Sequence, residues 1–380
     1  MNSRVTRRWQ RLLLVAALPG LLACLGWFVM LPASEGALLG FQQAVPGYSW
    51  SFPQDHASHP TFQTEWWYYT GHLRTQTGKT YGYQLTFFRH RLDSSSPTLN
   101  PSQWFADNLY LAHMAITDEQ APRFAYGEKL NRAALGLAGA AEERYHVWNE
   151  DWLAERLGSV HHLVGEIPGF KLNLILTPLK PPVLHGQNGL AQKGDGKGRA
   201  SYYYSYTRMK TEGVLHTAEG VFEVEGSSWM DHEFGSTQLQ EHQIGWDWFS
   251  VRLANNYEMM LGYIRHRDGS TSPYAGGTLV RPDGSSVSLR PEDFQIKAQA
   301  SWQSPKSGAV YPQRWTIRVP SAELTLHLEP VMAEQELVTE SSTRVTYWEG
   351  SVRVRGTMQG QETEGIGYVE LTGYVRPVTL

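Results

Sequence analysis

Residues 65–89 read EWWYYTGHLRTQTGKTYGYQLTFFR. Two runs rich in aromatic and β-branched residues flank the polar RTQTGKT, so the segment reads as a β-hairpin. Successive side chains of a strand point to opposite faces. Glu65, Trp67 and Tyr69 therefore share one face, and Trp66, Tyr68 and Thr70 the other.

The same style extends along the chain. NLYLAHMAIT (108–117), FKLNLILTPL (170–179) and SYYYSYTRM (201–209) read as strands. Residues 180–200 read as a long glycine-rich loop, and 214–231 as two short strands joined at Glu219-Gly220. Further on, GWDWFSVRL (245–253) and YEMMLGYIRH (257–266) are joined by Ala254-Asn255-Asn256, and Asp283-Gly284 marks a turn. RWTIRVP, AELTLHLEP, TYWEGSVRVRG and EGIGYVELTGY complete the series. Short strands at intervals of about ten residues, roughly eight in each half, predict an all-β chain with two antiparallel barrels. A barrel of about eight strands holds one small ligand. The polar stretch STQLQEHQ (236–243) marks the boundary. The expected division is 1–34 as a signal or anchor segment, 35–238 as the first barrel and 239–380 as the second.

Composition narrows the function classes. There are 33 basic and 37 acidic residues, a formal charge of −4, which leaves no basic footprint for nucleic acid. The 14 Trp, 19 Tyr and 13 Phe suit strands and ring-lined cavities. Cys24 is the sole cysteine, so the folded part holds neither a disulfide nor a thiolate metal cluster.

Cys24 lies in an apolar run, Leu12 to Leu31, preceded by Arg4, Arg7, Arg8 and Arg11. A cationic start followed by such a run marks export or membrane anchoring. Cleavage after Pro32-Ala33-Ser34, lipidation of Cys24 in Leu21-Leu22-Ala23-Cys24 and retention as a signal anchor all remain open. Each puts residues from about 35 onward in the periplasm or on an extracytoplasmic membrane face.

The chemistry concentrates in GSSWMDHEFGS (226–236). Strand alternation sets Trp229, Asp231 and Glu233 on one face, and Met230, His232 and Phe234 on the other. It separates Trp246 and Trp248 from Asp247 in the same way. A carboxyl group facing indoles in a barrel would be desolvated, hold its proton nearer neutral pH and act as a general acid. Glycines 226 and 235 would let the strand bend at each end of the acidic run. Three other roles compete. Asp231 and Glu233 lack an evident third ligand for a metal, and His232-Glu233 is not part of HExxH. A Ser-His-Asp hydrolase would need a GxSxG elbow, which the chain lacks. A structural role would pair Asp231 or Glu233 with Arg208 or Arg252 across the junction.

Taken in order, TEWWYYTGHL, YGYQLTFFR, LYLAHMAITD, KPPVLHG, SYYYSYTR, SSWMDHEFG and GWDWFSVRL resemble the carotenoid 1,2-hydratase (hydroxyneurosporene synthase) family, in its AttH-type lipocalin-like branch. The resemblance runs from about Tyr48 to the C-terminus. It implies two lipocalin-like (calycin) barrels side by side and an apolar, lipid-like or carotenoid-like ligand. Hydratases of the family are thought to protonate a carbon–carbon double bond with an aspartic acid and add water to the cation. Carried over, this makes Asp231, Glu233, His232 and Asp247 the catalytic candidates. Trp66, Trp67, Tyr69, His113, Trp229, Trp246 and Trp248 become the ligand-lining candidates. No metal or other cofactor is implied. Members of the branch are also described as predicted secreted hydrolases, and the AttH-type name is associated with ABC-type exporters. A non-enzymatic lipid carrier or chaperone serving such a transporter therefore stands beside the enzyme reading.

Overall fold

The computed structural model describes residues 40–92, 107–237, 239–274 and 276–378. The arginine-flanked apolar segment with Cys24 lies outside the described residues. No helix among those described is long and apolar enough to cross a membrane. Among the described residues helix is confined to three short 3₁₀ turns, Gln54–His56, Pro291–Asp293 and Pro320–Ala322.

The opening segment forms the hairpin its pattern implies. Strands Thr64–Thr75 and Thr80–Arg91 pair antiparallel, with Trp67 opposite Phe87 and Tyr69 opposite Leu85. Thr64–Thr75 pairs on its other side with Gly220–Gly235, far along the chain. These strands lie at the centre of a 13-stranded antiparallel sheet that spans the first half. The sheet curls until its ends meet: Asn131, on the edge strand Arg123–Arg132, donates to Asn149 Oδ1 on His146–Asn149 (2.7 Å). The second half repeats the plan with ten strands, and Gln243–Leu253 pairs with the last strand, Gln361–Leu371. The result is two curled, barrel-like antiparallel sheets of lipocalin-like form, each with its own apolar core.

The strand count exceeds the eight per half read from the turns. Strands of two to four residues, such as Ala138–Ala140, Val183–Leu184 and Leu190–Gln192, carry too little pattern to register. The last two lie within the stretch read as a loop and pair with Ala200–Thr217. Conversely, the segments flanking Glu219 belong to the 18-residue strand Ala200–Thr217 and the 16-residue strand Gly220–Gly235.

The interior of the first sheet takes Trp67, Tyr69, Tyr83, Leu85 and Met230. The opposite face of the same strands packs against the second sheet through Tyr68, Tyr203, Trp229, Trp248, Met260 and Tyr368. The contact is close at Gly82, where a Cβ would lie 2.6 Å from the Tyr368 hydroxyl and 2.8 Å from Ser351 Cβ. Gly82→Ala is therefore expected to force the sheets apart, at about 1–3 kcal/mol, the usual range for overpacking. Urea unfolding reads this as a lower midpoint; an unchanged midpoint would mean that the sheets do not meet there.

Candidate active site

Asp231 lies in this junction and is buried. Trp229 Nε1 donates to its Oδ1 (2.6 Å), as does the Ser205 hydroxyl, and Tyr203 donates to Oδ2 (2.9 Å). Strand alternation puts Trp229 on the same face as Asp231, and Ala200–Thr217 pairs beside them with Ser205 opposite Asp231. The second sheet contributes Trp248, whose Nε1 donates to the Tyr203 hydroxyl (3.1 Å). It also contributes Thr278, which meets His185 Nδ1 (2.8 Å), while His185 Nε2 meets the Ser205 hydroxyl (2.6 Å). Burial pushes the Asp231 carboxyl up to about 7, against the three donors that favour its charge, and the nearby Glu233 charge adds to the rise.

Two further acids face Asp231 from the second sheet. Glu349 Oε1 accepts from the Tyr68 hydroxyl (2.7 Å), and its Oε2 has no partner among the described residues. Burial, reinforced by the charge of Glu370, pushes Glu349 well above the carboxylate range. Glu370 is pushed up to about 7 by burial, against a hydrogen bond from Trp246, with Asp231 and Glu233 adding repulsion. Three acids in mutual repulsion cannot all ionise, so near neutral pH the cluster retains protons as a group. Trp66, Trp246 and Glu370 are half-buried and connect this layer with solvent. Protonated carboxyl groups beside indole faces suit proton donation to carbon or to a leaving oxygen, and the rings can stabilise a cation.

The remaining sequence candidates fall in three places. Glu233 shares the Asp231 face, bonded to Ser201 and paired with Lys193 (2.8 Å). The arginines expected for these acids are engaged elsewhere: Arg208 with Glu258 (2.5 Å), and Arg252 with His72 (3.0 Å). Asp247 points into the second barrel, held by Tyr263 (2.8 Å), Arg265 (2.8 Å) and Tyr374 (3.0 Å). Trp246 and Trp248 face the junction, so Asp247 shares no site with Asp231. His113 binds Tyr347 and Ser342 (2.8 Å each) and pins the first sheet to the second. Gly226 and Gly235 do not interrupt the strand, whose pairing with Thr64–Thr75 stays in register from Val224 to Gly235. Gly226 permits close pairing instead, since a Cβ there would lie 1.9 Å from the His72 carbonyl.

His232, Trp67 and Tyr69 face the first barrel's interior, where sequence reasoning missed a second network. Glu65 Oε1 accepts from His232 Nε2 and His59 Nδ1 (2.8 Å each), and Oε2 accepts from Ser58 (2.9 Å) and Arg89 (3.2 Å). Burial alone would raise the Glu65 carboxyl, but the two histidines and the Arg89 charge hold it well below the carboxylate range. His232 continues to the Tyr204 hydroxyl (3.0 Å) and from there to His56 (2.7 Å), and its ring stacks on Trp67. Among the described residues, His59, Glu65 and His232 form the group that could hold a metal, with ligand atoms within 4.8 Å of one another. Their donors are already turned on one another and Arg89 adds a cation, an arrangement suited to a hydrogen-bonded support. The missed junction acids did carry a signal: Glu349 in TYWEGSV and Glu370 in GYVELTGY repeat the acid-among-aromatics pattern of WMDHEF.

Comparison with known proteins agrees with this two-sheet plan. A solved structure of a Nitrosomonas europaea protein described as an AttH is 35% identical, covers 88% of this chain and all of its own, and superposes with a TM-score of 0.80. Kievitone hydratase of Fusarium solani subsp. phaseoli is 21% identical over 175 residues, 45% of this chain and 49% of that protein. Dehydratase asqC of Emericella nidulans is 20% identical over 234 residues, 59% of this chain and 62% of that protein. The chain thus spans about half to three-fifths of the length of the curated relatives it matches. The AttH-like family matches residues 43–374, which take in both sheets and the junction acids, and the chain belongs to that family.

Proposed function

We propose that the chain is a hydratase or dehydratase that works at the inter-sheet acid cluster on an apolar, unsaturated molecule. The observation that carries this is Asp231, buried beside Trp229 and Trp248 and pushed up to about 7, so that it holds a transferable proton near neutral pH. In hydration, Asp231 gives that proton to one alkene carbon and a cation forms at the other. Water adds through oxygen, and its surplus proton returns to the Asp231 carboxylate. Dehydration runs the same steps backwards, with the proton going first to the leaving hydroxyl. Trp66, Trp246 and Trp248 lend ring faces to the cation. Glu370, half-buried beside Trp246, meets the water. Relatives named hydratase and dehydratase support the class of reaction, since both add or remove water.

The test is incubation in heavy-oxygen water with prenyl-chain alkenes, lycopene-like polyenes and the matching tertiary alcohols, followed by mass spectrometry. Label entering an alcohol, or lost water appearing as new alkene, is the expected result. A bound lipid recovered chemically unchanged, with no label in any member of the panel, would favour a carrier and sink the enzymatic reading.

A further inference from the structure

At the far end of the junction from Trp66 lies a groove of about 570 Å³ between the two sheets. Five arginines and three glutamates line it, among them the exposed Arg74, Arg353 and Arg355. Its floor holds Arg252, which is 2% exposed. Arg252 Nη2 donates to His72 Nδ1 (3.0 Å), while Nε and Nη1 have no partner among the described residues. Because Nδ1 accepts, the His72 proton sits on Nε2 and is given to the Ser351 hydroxyl (3.0 Å), so His72 is neutral. Among the described residues no carboxylate reaches ion-pair distance of the guanidinium, and of the carboxylates only Glu258, opposite Arg252 in register, favours its charge from further off. Glu258 is taken by Arg208 and Lys180, and Glu119 by Arg353. A buried cation with like charge nearby and two idle donors is costly unless an anion meets it.

Between the groove and the acids, the strands that carry His72 and Arg252 hold further unpartnered groups. Thr70 Oγ1 and Ser250 Oγ are also buried without partners, and each lies two residues from the Arg252–His72 pair along its own strand. Two residues further come Tyr68, which pairs in register with Asp231, and Trp248. Four residues at about 3.3 Å each set the guanidinium roughly 13 Å from the acid cluster.

We propose that Arg252 anchors an oxyanion subsite, which takes the carboxylate or phosphate head of a molecule whose apolar chain extends along the junction to Asp231. This rests on the proposed function and adds a substrate class to it: an anionic head about ten carbons from the reacting bond. Arg252 fixes the head, His72 orients Arg252, and the Thr70 and Ser250 hydroxyls line the path between.

The test is binding, not turnover. Dodecanoate, dodecyl phosphate and dodecanol share a chain and differ in the head. The native protein is expected to hold one or both anions at least about tenfold more tightly than the alcohol, the effect of one or two charged hydrogen bonds. Preference for the carboxylate or for the phosphate tells the two sources apart. R252Q is expected to remove the preference and R252K to keep part of it. Equal binding of all three by the native protein, or a preference that survives R252Q, would overturn the subsite. Should R252Q not fold, a crystal of the native protein with dodecyl phosphate decides: phosphate oxygens on Arg252 support the subsite, and a head bound elsewhere refutes it. D231N, run in parallel, is expected to bind dodecanoate as the native protein does. If D231N retained full turnover, the acid chemistry would fail while the head-group result stood.

Discussion

Asp231→Asn is expected to lower turnover by about 10²-fold or more, the usual share of a general acid, while leaving the chain folded. The amide keeps the shape that Trp229, Ser205 and Tyr203 surround but has no acidic proton to give. The native rate should fall as pH rises through about 7, where Asp231 ionises. Stability gives an independent reading of the same group. A carboxyl whose folded pKa is raised stabilises the fold fully below its unfolded value, near 4, and that stability is lost as pH rises through the folded value. The shift from 3.8 to about 7 corresponds to an order of 4 kcal/mol. The stability of Asp231→Asn relative to the native chain should therefore climb by that order between pH 4 and pH 8. Urea titrations at the two pH values measure it. A flat difference, together with an unaltered rate, would leave Asp231 as scaffold.

The largest stability loss is expected at Glu65, in the first barrel. Glu65→Ala strands the guanidinium of Arg89, which is 2% exposed, and removes the shared acceptor of His232 and His59. Breaking a buried pair from one side typically costs about 3–5 kcal/mol. Glu65→Gln keeps the volume and part of the bonding, so it should cost less. The pH sign is opposite to that of Asp231. Glu65 is held below its ordinary range, so its stability is present above about pH 4 and is lost on acidification. Glu65→Gln should therefore flatten the acid limb of the stability profile. A loss under about 1 kcal/mol for Glu65→Ala would show that Arg89 and the histidines find other partners.

The two expectations concern opposite faces of the same two strands. Tyr68 and Asp231 face the second sheet; Trp67 and His232 face the first barrel's interior. A one-residue slip between Thr64–Thr75 and Gly220–Gly235 would exchange the two sets, so the register protects both networks at once.

The alternation in EWWYYTGHL and in SSWMDHEFG was enough to separate these faces, because the period of a strand is a covalent property of the extended backbone. All-β character, the hairpin at the start and the shared face of Trp229, Asp231 and Glu233 follow from that period and from composition. Alternation does not say which face is interior or what stands across from it. The Tyr68–Glu349 bond joins residues 281 apart in sequence, and the Glu65–His232 bond joins residues 167 apart. Neither is written in any local pattern. Asp247 looked like a partner of Asp231 because both sit among tryptophans, yet pairing turned it into the other barrel. The raised pKa of Asp231 likewise exists only once the second sheet covers it. Local sequence sets the direction of a side chain; only packing of distant strands sets its solvent, its neighbours and therefore its proton.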